Sequence, residues 1–218
     1  MQPRLVFLHT APMHVATFSA LLAEVAPQCE AEHVVDESLL ADAQRVGADD
    51  PALVARVQAA MTDAAERGAA AVVCTCSTIG GIAERTPTGG RFVALRIDRA
   101  MADRAASGGP RVLVVAAVQS TLEPTSALLR ESAAALDRAI EIRTVLAEGA
   151  WARFVAGDRA GYLDTVVRCV REAVGDADVI VLAQASMAPA AEALQDLGVD
   201  VLSSPRLGVQ SIAARLAA

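Results

Sequence analysis

The sequence predicts an α/β protein built from two pseudo-symmetric lobes, each a mostly parallel sheet flanked by helices. Short apolar segments alternate with longer segments whose apolar residues recur at helical spacing, a pattern typical of parallel strands joined by helical crossovers. The second half of the chain also matches the first half when residue 5 is laid on residue 112. Because ligands of α/β folds bind in clefts beyond the strand ends, we expect the active site in the cleft between the lobes.

The first half is expected to contain four strands and three helices around a central segment, Ala71–Gly81 (AVVCTCSTIGG). That segment combines a buried strand with a polar turn that can begin a helix. Asp50 suits an N-cap and Pro51 a first helical turn, while Pro27 and Gly68 follow helix ends. The expected strands are Leu5–His9, His33–Val35, Ala71–Thr75 and Phe92–Ile97, and the expected helices are Met13–Val25, Pro51–Arg67 and Asp98–Ala106.

The second half is expected to repeat this order after Ser107-Gly108-Gly109-Pro110, the strongest linker signal in the sequence. We therefore assign residues 1–106 to the first lobe and residues 107–206 to the second. The expected strands are Val112–Val118, Ile140–Leu146, Val179–Leu182 and Asp200–Leu202, and the expected helices are Leu122–Asp137, Asp158–Val174, Pro189–Leu197 and Pro205–Leu216.

The match between the halves extends over three segments. Residues 5–22 (LVFLHTAPMHVATFSALL) lie on residues 112–129 (VLVVAAVQSTLEPTSALL), residues 71–84 lie on 179–192, and residues 92–95 lie on 199–202. The turns after the central strands are therefore equivalent, and they pair Cys76 with Gln184, Ser77 with Ala185, and Thr78 with Ser186. Only the turn of the first lobe carries a thiol at this position.

Composition and charge argue against several classes of partner. The chain has one Trp, one Tyr and four Phe, too few aromatic rings for a platform that stacks bases. A net charge of −7 and a pI near 5.0 disfavour nucleic acids and acidic membrane surfaces. No apolar run approaches the ~18 residues of a membrane span, and the apolar core of MQPRLVFLHTAP is too short for a signal peptide. We expect a cytoplasmic protein, and its acidic balance and small size are compatible with a homo-oligomer.

The cysteines and histidines do not have the spacing of a metal site. Neither type forms a CxxC pair or a zinc pattern, and a cytosolic chain keeps its thiols reduced. No GxxxxGK or GxGxxG sequence follows a strand, so nucleotide cofactors find no support. We expect no metal and no cofactor. The residues concerned are Cys29, Cys74, Cys76, Cys169, His9, His14 and His33.

Cys76 is the candidate for the chemical centre because it follows a buried strand at the start of a predicted helix. Thr78 and Ser186 are expected to help bind a carboxylate at helix starts, although both are equally explained as plain N-caps. His9 and Thr10 end the first strand, and their equivalents are alanines, which favours a substrate contact in one lobe only. The alternative for His9 is a structural histidine with its hydrogen bonds satisfied.

These motifs resemble the aspartate/glutamate/hydantoin racemase superfamily, and the resemblance covers the whole chain. The first family motif, Cys-Asn-Thr, is matched by Cys76-Ser77-Thr78, with Ser in place of Asn. The second family motif follows an apolar strand as Gly-Cys-Thr or Gly-Cys-Ala; here Val179–Met187 keeps the frame but has Gln184 where the cysteine belongs. The resemblance implies that Ser77, Gln119, Ser120 and Ala185 also line the substrate site, and that residues 207–218 pack back on the first lobe.

The resemblance also implies a mechanism in which two thiols face each other across the substrate α-carbon, one as thiolate base and one as proton donor. A glutamine amide can hold a carboxylate or enediolate oxygen by a hydrogen bond, but it cannot act as an acid or a base near neutral pH. We therefore expect a cofactor-independent racemase-like isomerase that acts on a small carboxylic or amino acid through Cys76. The alternatives are a single-thiol decarboxylase of malonate type and a non-catalytic relative that binds a small acid.

Overall fold

The computed structural model describes residues 4–217, and its strands form two four-stranded parallel sheets. The expectations for residues 1–3 and 218 lie outside the described residues. The described chain divides into two compact units, which we call the first unit (4–98 with 205–217) and the second unit (99–204).

The elements of the chain alternate as the sequence predicts. Up to residue 98 they are β1 (Arg4–His9), α1 (Met13–Val25), β2 (Glu30–Val35), α2 (Glu37–Val46), α3 (Pro51–Ala65), β3 (Ala71–Cys74), α4 (Ser77–Glu84) and β4 (Val93–Arg96). They continue with α5 (Arg99–Gly108), β5 (Arg111–Ala116), α6 (Gln119–Ala135), β6 (Glu141–Leu146), α7 (Ala150–Val155), α8 (Arg159–Ala173), β7 (Val179–Leu182), a 3₁₀ helix (Ala185–Leu197), β8 (Asp200–Ser203) and α9 (Ser204–Ala217).

The two sheets have the same topology. The strand order is β2-β1-β3-β4 in the first unit and β6-β5-β7-β8 in the second, and every pairing is parallel. The inner strands β3 and β7 are entirely buried, as their unbroken apolar runs require. The repeat found in the sequence is therefore a structural repeat, and the predicted α/β fold with two parallel-sheet lobes is confirmed.

Side-chain caps account for the starts of three helices. The Asp50 side chain accepts hydrogen bonds from the N–H groups of Ala52 and Leu53, both at 3.0 Å, and thereby caps α3. Asp36 caps α2 and Asp158 caps α8 by the same kind of bond. The sequence patterns predicted neither α2 nor α7, because both helices are short, with 10 and 6 residues, and a helical repeat is hard to recognise over so few positions.

The segment predicted as a helix over Pro189–Leu197 is instead a 3₁₀ helix that begins at Ala185. Pro189 has no N–H group and therefore removes one backbone hydrogen bond from this segment, whether the helix is α or 3₁₀. The equivalent segment of the first unit, α4, is a regular α-helix.

The segment predicted as a linker is well packed in the structure. Helix α5 extends through Gly108, where an added Cβ would lie 2.7 Å from the Val179 side chain, and one on Gly109 would collide with Asp178. These glycines are therefore explained by close packing within the second unit. Helix α5 belongs to that unit as well, so the chain divides at 98/99, whereas the sequence placed a boundary at 106/107.

Candidate functional site

Cys76 occupies the turn between β3 and α4, at the carboxyl edge of the first sheet. Its backbone is extended (φ −98°, ψ 114°), it is the N-cap residue of α4, and it is 9% exposed. The first N–H groups of a helix have no partner within the helix, and they favour a negative charge nearby. The turn therefore combines a thiol with backbone donors that suit an anion.

Ser77 and Thr78 form the first turn of α4, and both are buried, with 4% and 2% exposure. The Oγ atom of Ser77 has no hydrogen-bond partner within residues 4–217. A buried hydroxyl group without a partner costs about 1–3 kcal/mol, so a native structure usually satisfies it. An unpartnered hydroxyl beside a thiol at a helix start is the strongest sign of a ligand site in the first unit.

Cys74 lies two residues before Cys76 and is fully buried. Its thiol donates a hydrogen bond to the carbonyl oxygen of Cys76 at 3.6 Å, and burial raises the pKa of Cys74 far above its usual range. A thiol that stays protonated is a poor nucleophile and a poor base. Cys74 therefore has a structural role beneath the turn.

A chain of four hydrogen bonds links the side chains of Ser19, His33, His9 and Thr75 to the carbonyl oxygen of Leu8. The Thr75 hydroxyl donates to the carbonyl of Leu8 at 3.3 Å, so it accepts from Nδ1 of His9 at 2.8 Å. Nε2 of His9 then accepts from Nδ1 of His33 at 2.8 Å, and Nε2 of His33 accepts from the Ser19 hydroxyl at 2.9 Å. Because the chain ends on a backbone carbonyl, which has no proton to pass on, it can hold Thr75 but cannot deliver a proton to Cys76.

His9, His14 and His33 are neutral at pH 7. Burial, with contributions from His33 and His14, lowers the pKa of His9 to about 3, and burial lowers the pKa of His14 to about 4 and that of His33 below its usual value. His9 is 0% exposed, and both of its ring nitrogens are used within the first unit. This arrangement fits the structural alternative for His9. Thr10, the next residue, is 7% exposed at the end of β1.

Gln184 occupies the equivalent turn of the second unit, after β7. It is half-buried and extended (φ −117°, ψ 139°), and its Oε1 accepts a hydrogen bond from the N–H group of Ala117 at 2.6 Å. Nε2 has no partner among the described residues. The amide is thus held by its oxygen while its two N–H groups are left to donate.

Ser186 is half-buried near the start of the 3₁₀ helix and follows Ala185, which is buried. The Ser186 hydroxyl shares a hydrogen bond of 2.7 Å with the hydroxyl of Tyr162 on α8. Burial raises the pKa of Tyr162 to about 12, so this hydroxyl remains protonated at neutral pH. Sequence analysis did not identify Tyr162, because the contact joins residues that are distant in the sequence.

Gln119 and Ser120 begin α6, which follows β5 in the second unit. Gln119 is exposed, whereas the Oγ atom of Ser120 is buried and lacks a hydrogen-bond partner in the described part of the chain. Ser120 is thus a second unpartnered hydroxyl at a helix start. The structure therefore brings the predicted residues of each unit to the carboxyl edge of their own sheet.

Among residues 4–217, no group of three or more His, Cys, Asp and Glu side chains has the geometry of a metal site. Within the same residues, no helix combines the length and apolar character needed to span a membrane.

A family model described as Asp/Glu/Hydantoin racemase matches residues 10–212. The chain belongs to this family. The match includes both strand-end turns, so the equivalence of Cys76 and Gln184 falls within the matched region.

Solved structures similar to this chain show the same fold. A glutamate racemase from Bacillus anthracis is 14% identical, with a TM-score of 0.72 and coverage of 99% of this chain and 82% of that chain. An allantoin racemase from Pseudomonas fluorescens is 19% identical, with a TM-score of 0.67 and coverage of 98% and 90%. An arylmalonate decarboxylase is 21% identical, with a TM-score of 0.58 and coverage of 99% and 93%. No curated protein matches the sequence significantly.

Proposed function

We propose that this family member is a cofactor-independent, racemase-like isomerase that uses Cys76 to move the α-proton of a small carboxylic or amino acid. The observation that carries the proposal is the turn at the start of α4. There, the Cys76 thiol stands beside the unpartnered Ser77 hydroxyl and the N–H groups of the first helical turn. The name of the similar glutamate racemase agrees with this substrate class.

The proposed step is a reversible proton transfer. The Cys76 thiolate takes the α-proton and becomes a thiol, while the electron pair of the broken C–H bond moves into the carboxyl group and forms an enediolate. Donors held in place before the reaction stabilise this developing charge. Ser77 Oγ and the N–H groups of α4 are the donors, and transfer of the proton back to carbon restores the thiolate.

The amino-acid composition supports a mechanism without pyridoxal phosphate. All 19 basic residues counted as Lys or Arg are arginines, so the sequence contains no lysine. An enzyme that uses pyridoxal phosphate holds it as a Schiff base on a lysine amine. This chain has no side chain that can form that bond, and the thiol is the proton-transfer group that the turn offers.

Gln184 has a different role from Cys76 in this proposal. Its oxygen is fixed by the N–H group of Ala117, and its Nε2 is available to donate to a substrate oxygen. We also assign substrate contacts to Thr10, Thr78, Gln119, Ser120, Ala185 and Ser186, with Tyr162 orienting Ser186. With one acid–base group, exchange of the α-proton exceeds inversion at carbon.

A second candidate is decarboxylation of a substituted malonate, and the absence of an acid–base group at Gln184 favours it. In this reaction loss of CO₂ forms the enediolate, and one thiol is sufficient to protonate it. The similar structure named as an arylmalonate decarboxylase agrees with this candidate. A non-catalytic protein that binds a small acid remains the third alternative.

The proposal is tested by incubating the protein in D₂O with small amino acids, hydantoins and substituted malonates, and by following each α-proton with NMR. We expect deuterium exchange without loss of mass for at least one amino or carboxylic acid. Release of CO₂ with capture of deuterium would instead establish the decarboxylase.

The matched variants are Cys76→Ala, which removes the proposed acid–base group, and Cys169→Ala, which removes a half-buried thiol on α8. Exchange that survives Cys76→Ala would contradict the proposal. A wild-type protein that binds a panel compound but exchanges none of them would favour the binding protein.

A further inference from the structure

The first unit contains a buried ion pair that the proposed proton transfer does not use. Nε of Arg96 donates to Oδ1 of Asp98 at 2.6 Å and Nη2 donates to Oδ2 at 3.0 Å, and the side chains are 3% and 1% exposed. Removal of two charges from water offsets much of their attraction, so such a pair is weak evidence of stabilisation. Its position in the fold indicates another role.

The guanidinium of Arg96 lies directly against the first turns of α4. Nη2 donates to the carbonyl oxygen of Ser77 at 3.4 Å. An added Cβ on Gly80 would lie 3.0 Å from Nε, and one on Gly81 would lie 3.3 Å from Nη1. Glycine is unfavourable inside a helix, and the close approach of the guanidinium explains why two of them stand side by side here.

The second unit lacks every component of this arrangement. The residues equivalent to Arg96 and Asp98 are Ser203 and Pro205, and those equivalent to Gly80 and Gly81 are Ala188 and Pro189. The helix that follows its turn is a 3₁₀ helix. The buried pair and the two glycines therefore occur only in the unit whose turn carries the thiol.

We propose that Arg96, clamped by Asp98, is a positioning residue for Cys76. The fork of the guanidinium fixes the Ser77 carbonyl and the first two turns of α4, and thereby the direction of the Ser77 hydroxyl and N–H groups relative to the thiol. The inference rests on the proposed function, because it assigns Arg96 to the same turn. Its test also has a readout that needs no substrate.

The test replaces the pair with apolar residues in the double variant Arg96→Met/Asp98→Leu, which leaves neither charge buried alone. The matched control is Arg104→Met/Asp200→Leu, which removes an exposed ion pair of the second unit. Each protein is treated with iodoacetamide, and the alkylation rate of Cys76 is measured by peptide mass mapping. Cys29 and Cys169, which are half-buried, serve as internal references.

We expect the Arg96→Met/Asp98→Leu variant to melt near the wild-type temperature while Cys76 reacts about tenfold faster relative to the two reference thiols, because local opening of the turn exposes it. The control should keep the wild-type ratio. For any compound that exchanges deuterium, kcat should fall about tenfold or more with little change in KM, since small misplacements of reacting groups lower rates strongly.

An unchanged Cys76 alkylation ratio in the folded Arg96→Met/Asp98→Leu variant would overturn the inference, whether or not any substrate is turned over. If that variant does not fold, Gly80→Ala decides the question, because its Cβ displaces the guanidinium while alanine favours the helix. A faster reaction of Cys76 in Gly80→Ala supports the positioning role, and an unchanged ratio contradicts it.

Discussion

The turns after β3 and β7 occupy equivalent positions in the two sheets, but they differ in most of the side chains that could take part in chemistry. The first turn has a thiol at its N-cap position, Thr75 held by His9 beneath it, and the Arg96–Asp98 pair against its helix. The second turn has an amide at the same position, held by the N–H group of Ala117.

The fold explains the shared position of the two turns, and it does not explain why their side chains differ. Both turns lie at a sheet edge because the parallel strands of the two sheets have the same order. This placement depends on the strands and does not require buried polar groups. Such groups are costly to bury, and the buried histidine and the buried Arg96–Asp98 pair lie only in the unit whose turn carries the thiol. We infer that the buried polar groups of the first unit serve the Cys76 thiol. The following predictions test this difference between the two turns.

The largest expected effect is the loss of Cys76. In Cys76→Ala we expect deuterium exchange to fall by about a thousandfold or more, because the group that carries the proton is gone. Gln184→Ala should lower exchange far less, since the amide is proposed to donate a hydrogen bond to the substrate and does not act as an acid or a base. Exchange rates of both variants, measured by NMR on one substrate, check this order; equal losses would mean that the two turns share the proton transfer.

The second prediction concerns a thiol introduced at the turn of the second unit. In Gln184→Cys we expect the ratio of inversion to exchange to rise about tenfold or more, because a second acid–base group becomes available at the equivalent turn. Chiral chromatography of the product measures inversion. Gln184→Ser, which has a hydroxyl but no readily ionised group, is the control and should leave the ratio low.

The two units should also differ in their response to acid, since all three histidines lie in the first unit. Burial lowers the pKa of His9 to about 3 and that of His14 to about 4, from 6.5 in the unfolded chain. The unfolded chain therefore binds more protons below pH 6.5, so stability is full above that pH and is lost as the pH falls towards these lower values.

We expect the free energy of unfolding of the first unit to fall by about 2–3 kcal/mol between pH 7 and pH 4, less than the full pKa shifts imply because water screens the charges. Hydrogen exchange of the backbone amides, compared between the units, measures this loss. Equal acid sensitivity of both units would contradict the assignment to the histidines.

The smallest expected effect concerns the unpartnered hydroxyl. We expect Ser77→Ala to lower kcat/KM about tenfold with little loss of stability, since a hydrogen bond to a charged group is worth about 1.5 kcal/mol or more and the hydroxyl has no partner among the described residues of the free protein. Ala185→Ser, which places a hydroxyl in the equivalent position of the second unit, should leave kcat/KM near the wild-type value. An unchanged kcat/KM in Ser77→Ala would remove Ser77 from the site.

The order of the strands and helices was predictable from the sequence because it depends on local patterns. The bounds of α1 agree with the predicted helix over Met13–Val25, the apolar strand before Cys76 located the first turn, and the internal repeat located the second. The helices α2 and α7 were not predicted because they are too short, at 10 and 6 residues, for a helical repeat to be recognised. The glycines at Gly108 and Gly109 were misinterpreted because their packing partners lie some 70 residues further along the chain.

The surroundings of the site depended on contacts that no local pattern reveals. The bond between His9 and Thr75 spans 66 residues, and that between Tyr162 and Ser186 spans 24. Arg96 ends strand β4, and its role became apparent only when Gly80 and Gly81 were found against its guanidinium. The chemistry of the residues in each turn, in contrast, could be inferred directly from Cys76 and Gln184.

The most direct test of the inequality of the two turns is a single time course in D₂O on a pure enantiomer of an exchanging substrate. Wash-in of deuterium is followed by NMR, and inversion is followed by chiral chromatography in the same samples. One thiol and one amide predict that deuterium enters several times faster than configuration is lost, and that both processes stop in Cys76→Ala. Inversion that keeps pace with exchange, or exchange that persists without Cys76, would contradict the account.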